Sequence, residues 1–315
     1  MSKVLFATDF SQAAGVAERL IGSIPWPSET SIRVVTVVPR VPELMGTPWM
    51  AVAPVNADDV ESTQVTWAET NARDVTARLA GHGLDVSWVV LRGQPADAIV
   101  DVARSEAVDL VVLGSRGRGA LEGALLGSVS EAVADRAPCP VLIARRSELH
   151  RSLIADDASP GAQDAIAYVR RHRHLLGNTT RLLAVQQVAD AWIESFETPV
   201  NAGALQVIAD GRAEVWQAER GALESDAVSL RNAGQNTDVA FEEGRPAGQI
   251  EDAALRWRAD LVVVGSRHRT GVTRLVMGSV GRHVLHHSPC SVLLVGHVPA
   301  APPASAVAVK PAVIA

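Results

Sequence analysis

The residues best suited to chemistry follow a very apolar run, Leu110–Leu113. Gly114-Ser-Arg-Gly117 comes first, then nine residues, then Gly127-Ser128-Val129-Ser130 at the start of a helical pattern. Glycine lacks a Cβ, so it lets the main chain approach a ligand closely and take positive φ. Unpaired N–H groups there, and at the N-terminus of the helix that follows, make an anion site. The hydroxyls of Ser128 and Ser130 are each suited to donate to a phosphate oxygen. No Gly-Lys-Ser/Thr is present, so this is not a Walker A loop. Nor is it G-x-G-x-x-G, because Glu122 stands where the third glycine belongs.

Other candidates carry less. Asp9 or Ser11, and likewise Ser128, have a plainer use as helix caps. His283, His286 and His287 share a helical spacing, but no carboxylate or thiolate near them in sequence completes a metal site. They are expected on a solvated helix face. Arg170-Arg171-His172-Arg173-His174 closes a helix, where cations are favoured, and this reading is preferred to a nucleic-acid patch. Asn178-Thr-Thr matches a glycosylation sequon, which means nothing without secretion. There is no G-x-S-x-G elbow, no nucleophile with an assignable base and no carboxylate pair at the glycine loop. Any hydrolysis of a phosphate-bearing ligand is therefore expected to be slow.

The chain repeats itself. DLVVLGSRGRGALEGALLGSVSEAVADRAPCPVLIA (109–144) aligns without a gap on DLVVVGSRHRTGVTRLVMGSVGRHVLHHSPCSVLLV (260–295), with 16 of 36 positions identical. LRGQPADAI (91–99) matches EEGRPAGQI (242–250), and LFATDFSQAAGVA (5–17) matches LIADDASPGAQDA (153–165). Asp9 thus pairs with Asp157, and Ser11 with Ser159. Two tandem copies of one domain are expected, over 1–147 and 148–296, with 297–315 as a Pro/Ala/Val-rich disordered tail.

Within each copy, apolar runs alternate with helical patterns. In copy one the strands are expected at Val4–Ala7, Ile32–Val38, Val86–Leu91, Leu110–Leu113 and Val141–Ala144. The helices are expected at Ala13–Ile21, near Asp58–Ala80, from Pro95 and from about Ser128. A loop rich in proline (Pro42, Pro48, Pro54) separates the second strand from the long helix. Central strands that are apolar throughout imply an α/β fold, a five-stranded parallel sheet per copy with helices on both faces. Ligands bind such Rossmann-like sheets beyond the carboxyl ends of the strands, where the strand order reverses.

Bulk composition is consistent with this. Hydrophobic residues make up 47% and charged residues 20%, a globular balance. The formal net charge of −6 argues against nucleic acid or an acidic membrane as the main partner. No signal peptide is expected from the N-terminal residues, and no stretch has the length and apolarity of a membrane helix. Cys139 and Cys290 occupy matching positions and are expected as buried core thiols. The cytoplasm is the expected compartment.

Taken together, these motifs resemble the universal stress protein family, whose ATP-binding members carry G-x2-G-x9-G-[ST]. Copy one fits at Gly114, Gly117, Gly127 and Ser128, and the likeness extends to GSRGRG, GSVS and APCPVL and to all of the chain except its tail. The resemblance implies a stress-response nucleotide sensor that binds ATP together with Mg2+. It implies that Asp9 contacts the nucleoside, that the Val37 backbone meets the adenine, and that the glycines, Ser128 and Ser130 hold the phosphates. It also implies pairing of the two copies through their last strands as an internal pseudo-dimer, and further homodimers. Copy two keeps Asp157, Val185, Gly265, Gly278 and Ser279, but has His268 for Gly117 and Gly281 for Ser130, so copy one is expected to hold most of the nucleotide. Two alternatives stay open: a nucleotide-independent scaffold, and a slow ATP hydrolase.

Overall fold

The computed structural model describes residues 2–39, 57–117, 126–186, 202–266 and 277–296. The chain divides into two compact units, with the break between Glu148 and Leu149.

The first unit runs β1 (Lys3–Ala7), α1 (Gln12–Ser23), β2 (Ser31–Val38), α2 (Ala57–Ala80), β3 (Asp85–Arg92), α3 (Pro95–Ser105), β4 (Leu110–Gly114), α4 (Ser128–Arg136) and β5 (Val141–Ala144). Its strands lie in the order β3-β2-β1-β4-β5, and every pair within the unit is parallel. Sequence dictates who sits in the middle. KVLFA and LVVLG bury nearly every side chain, so β1 and β4 need helices on both faces. β3, with Asp85, Ser87 and Arg92, is only half buried and takes the outer place.

The helices are cut to that sheet. α1 turns Ala14, Ala17, Leu20 and Ile21 inward, an apolar stripe at helical spacing. Pro95 opens α3 at the one turn where its missing N–H costs nothing. Leu20 is fully buried, and trimming such a side chain to alanine costs about 2–5 kcal/mol.

The second unit repeats the plan: β6 (Arg151–Ala155), α5 (Pro160–Arg171), a 3-10 turn (Arg173–Leu175), β7 (Thr179–Gln186), α6 (Ala202–Asn232), β8 (Asn236–Glu243), α7 (Pro246–Trp257), β9 (Leu261–Gly265), α8 (Ser279–His287) and β10 (Ser291–Val295). The order is β8-β7-β6-β9-β10, again parallel. The basic run at 170–174 does close α5. Cys139 and Cys290 are buried. No described helix is long and apolar enough to cross a membrane.

In each unit the chain leaves the first strand toward one side of the sheet and the fourth toward the other. The carboxyl ends of β1 and β4, and of β6 and β9, therefore flank the point where the order reverses, the place where such folds bind ligands. The proline-rich loop at 40–56, His268 and the tail from 297 lie outside the described residues.

Candidate functional site

At the carboxyl end of β1 the chain turns through Thr8–Ser11, and each short polar side chain has a separate task. Thr8 Oγ1 accepts the Phe10 N–H (3.1 Å), and Asp9 Oδ1 accepts the Ser11 N–H (3.1 Å). Ser11 Oγ accepts the Ala14 N–H (3.3 Å) and donates to the Arg116 carbonyl (3.3 Å). Ser11 is thus the cap of α1, and it also ties the β1 turn to the loop after β4. Asp9 is not the cap. Its Oδ2 faces Gly117, where an added Cβ would fall 2.8 Å away.

Phe10 sits between them at φ +60, a conformation that costs an L-residue about 1–3 kcal/mol. These bonds hold it there, with its ring edge-on to Trp67 of α2 at 5.2 Å between centroids. Copy two repeats this strained turn with Ala158 at φ +56. Asp157 Oδ1 accepts the Ser159 N–H, and Ser159 caps α5.

The three motif glycines have different uses, and none has positive φ. That corrects one expectation: their conformation is ordinary, and what they give is close approach. At Gly114 the approaching group is α1 itself, since a Cβ would lie 2.6 Å from the Ala13 carbonyl carbon. Gly265 meets the Gly161 backbone in the same way. Gly117 leaves room beside Asp9. Gly127 has the Arg116 Cα 3.3 Å from its Cβ position.

Gly127 is the N-cap of α4, and no side chain caps that helix. Its own N–H is bonded to the Ser115 carbonyl (2.7 Å). The N–H groups of the first turn, from Ser128 on, are those a helix cannot pair internally. Ser128 is exposed at that end and is not the cap. Ser130 is different: it is only 6% exposed, and its hydroxyl donates to the Gly114 carbonyl at 2.8 Å. The phosphate donor expected at Ser130 is therefore a tie between α4 and β4 in this structure. Val37 lies at the end of β2, in register with Leu91.

In copy two, α8 begins the same way, with Gly278 as N-cap, Ser279 following and no side-chain cap. Gly281 lacks the hydroxyl tie, although its Cβ position is roomy, with Met277 Cγ at 3.4 Å. At the carboxyl ends of β6 and β7 lies a cavity of ≈ 30 Å3 reached by Asp156, Asp157, Val185 and Glu219. Of these, Asp156 and Glu219 were missed from sequence. Asp156 matches Thr8 in the aligned turn, and a carboxylate in place of a buried hydroxyl was the available signal.

One rejected cluster also looks different in three dimensions. His283 Nε2 lies 3.2 Å from Glu251 Oε2, and its ring stacks on His287 at 4.2 Å. The carboxylate that sequence did not offer comes from the neighbouring helix, α7. No set of three ligands able to hold a metal ion occurs among the described residues.

The model of the universal stress protein family matches the chain twice, over residues 1–145 and 149–296. A universal stress protein of Mycobacterium tuberculosis strain H37Rv is 31% identical over 245 residues, which is 72% of this chain and 78% of that one. A second from the same strain is 44% identical over 100 residues, 29% of this chain and 33% of its own. The crystal structure of a universal stress protein from Archaeoglobus fulgidus has a TM-score of 0.62 at 22% identity, covering 93% of this chain and 98% of that one.

Proposed function

Because this chain belongs to the universal stress protein family, we propose that it is an ATP-binding regulatory protein of the stress response, acting in the cytoplasm. Copy one holds the nucleotide in the main. One observation carries this reading: the uncapped first turn of α4 and the Asp9 carboxylate meet across Gly117, at the switch point of the sheet. A helix N-terminus with free N–H groups suits phosphate, and a carboxylate accepts from the hydroxyls or amine of a nucleoside.

In this reading Asp9 and the Val37 backbone hold the nucleoside. The backbone of Gly117 and Gly127 and the Ser128 N–H and hydroxyl hold the phosphates. Gly114 and Ser130 act indirectly, by seating β4 against α1 and α4. Mg2+ would come with the triphosphate, held by its phosphate oxygens, and would supply charge neutralisation. No base that would activate a water is assigned, so occupancy rather than turnover is the output. In copy two, Asp157, Val185, Gly265, Gly278 and Ser279 form a weaker counterpart. Pairing of the copies through β5 and β10 belongs to the same proposal.

Equilibrium binding of ATP to the purified protein, with mass spectrometry of nucleotide released on denaturation, tests the reading. Saturable binding that Asp9→Ala weakens supports it. Failure to bind any nucleotide leaves the scaffold alternative, and rapid phosphate release under saturating ATP favours the hydrolase.

A further inference from the structure

Copy two carries carboxylates at positions where copy one has buried, uncharged side chains. Asp156 stands where copy one has Thr8. Aligned on the strand that follows each long helix, Leu230 of α6 matches Leu79 of α2, Asp226 matches Val75, and Glu219 matches Ala68. In copy one Ala68, Val75 and Leu79 are all buried, so Glu219 and Asp226 lie on the inward stripe of α6.

Asp156 and Glu219 meet at the cavity at the ends of β6 and β7, with the Asp226 carboxyl close to Asp156. Asp156, Asp157 and Glu219 line it, with Ala184, Val185 and Leu223 as its apolar walls. Asp156 is 3% exposed. Its Oδ1 reproduces the Thr8 bond by accepting the Ala158 N–H at 2.8 Å, but its Oδ2 is buried without a hydrogen-bond partner among the described residues. Asp226 Oδ2 accepts from Gln163 Nε2 (2.8 Å), a neutral group. No ion pair to Asp156, Asp157, Glu219 or Asp226 occurs among the described residues. Uncompensated buried charge is costly, and proteins pair it or bind a cation.

We propose that this cavity of copy two binds a small organic cation through its ammonium group, Asp156 Oδ2 accepting one N–H and Glu219 and Asp157 supplying the remaining charge. An ammonium offers three donors. The space, ≈ 30 Å3, exceeds the roughly 10–15 Å3 that one water needs, and suits such a head group with its first methylene against Leu223 and Val185. Asp157 and Ala158 are exposed, which leaves a way in for the rest of an aliphatic amine. A metal ion is disfavoured because no three described ligands are disposed to hold one.

Calorimetric titration of the full chain with butylamine at low salt tests this, with tetramethylammonium and Mg2+ as competitors. Saturable one-to-one binding is expected, with little competition from tetramethylammonium, which has no N–H. Asp156→Thr and Glu219→Ala install residues that copy one already carries, so the fold has a precedent for both. Each should weaken butylamine about tenfold or more, the usual cost of a lost charged hydrogen bond, and should leave ATP binding by copy one unchanged. Binding should also fall between pH 8 and pH 5, since burial raises the Asp156 carboxyl to about 6, helped by the neighbouring Asp226 carboxyl and by Asp157; Asp157 and Glu219 are the other acids lining the space. No saturable binding, equal binding by both variants, or displacement by Mg2+ at lower concentration than the amine would overturn the proposal. The tight ATP site of copy one, titrated on the same samples, reads the other proposal, so either can fail alone; ATP at the weaker site of copy two, which shares Asp157 and Val185 with this cavity, should compete with the amine.

Discussion

At the scale of residues, Gly114 and Gly117 belong to one motif but answer to different neighbours. A Cβ at Gly114 would strike main chain of α1, which cannot step aside; at Gly117 it would strike only the tip of Asp9. Gly114→Ala is therefore expected to destabilise copy one by about 1–3 kcal/mol, the usual cost of overpacking, in a denaturant titration. Gly117→Ala should fold as the parent does yet bind ATP about tenfold or more weakly, because Asp9 is pushed off its place. Unchanged affinity in Gly117→Ala would remove Asp9 and Gly117 from the site. Asp156 makes the second residue-scale prediction. Burial raises its carboxyl to about 6, above the roughly 3.9 of an unfolded chain. The folded state then holds the proton more tightly, so the contribution of this one group to stability is fully present below about pH 4 and is lost as pH rises through about 6. The loss amounts to about 2–3 kcal/mol. Asp156→Asn should flatten that part of the pH profile of unfolding and leave the rest alone.

Elements explain why these residues meet. β1 and β4 are adjacent because both are apolar enough to need cover on both faces, and their turns are then stitched by Ser11 to the Arg116 carbonyl. Ser11→Ala removes both the cap and the stitch. It is expected to cost about 1 kcal/mol in stability and to weaken ATP binding as the two loops part. Loss of stability with intact binding would mean that the stitch is only a cap. β5 supplies a further check. The Cys139 thiol that precedes it is pushed up to about 12, first by burial and then by the Asp109 charge. It should resist alkylation at pH 8 in the folded protein and react only when the unit unfolds.

For the whole molecule the consequence is asymmetry between two similar units. Calorimetry is expected to give one tight ATP per chain, or one tight and one much weaker. Two equal sites would contradict it. His268→Gly should strengthen the second site by clearing the position matched to Gly117. Adding Gly281→Ser should contribute less than a phosphate donor would, because its counterpart Ser130 spends its hydroxyl on the Gly114 carbonyl. Its gain should appear as stability of α8 against β9.

The sequence by itself determined the duplication, the parallel order of buried and half-buried strands, and the glycine spacing, because these follow from local pattern: apolar runs of strand length, helical periodicity, and residues without a Cβ at fixed intervals. It also marked Asp9, Gly117, Gly127 and Ser128, which the tertiary structure brings to one switch point. Only the tertiary structure decided what each residue touches there. The partner of Gly114 is the start of a helix, Ala13 and Ala14, about a hundred residues earlier in the chain, and Ser130 differs from Ser128 solely in the face of α4 it occupies. Asp156, Glu219 and Asp226 went unread for the same reason. On a strand turn and a long helix, far apart in sequence, they look like ordinary surface acids. Packing α6 over the ends of β6 and β7 is what brings them together and leaves Asp156 Oδ2 buried without a hydrogen-bond partner among the described residues.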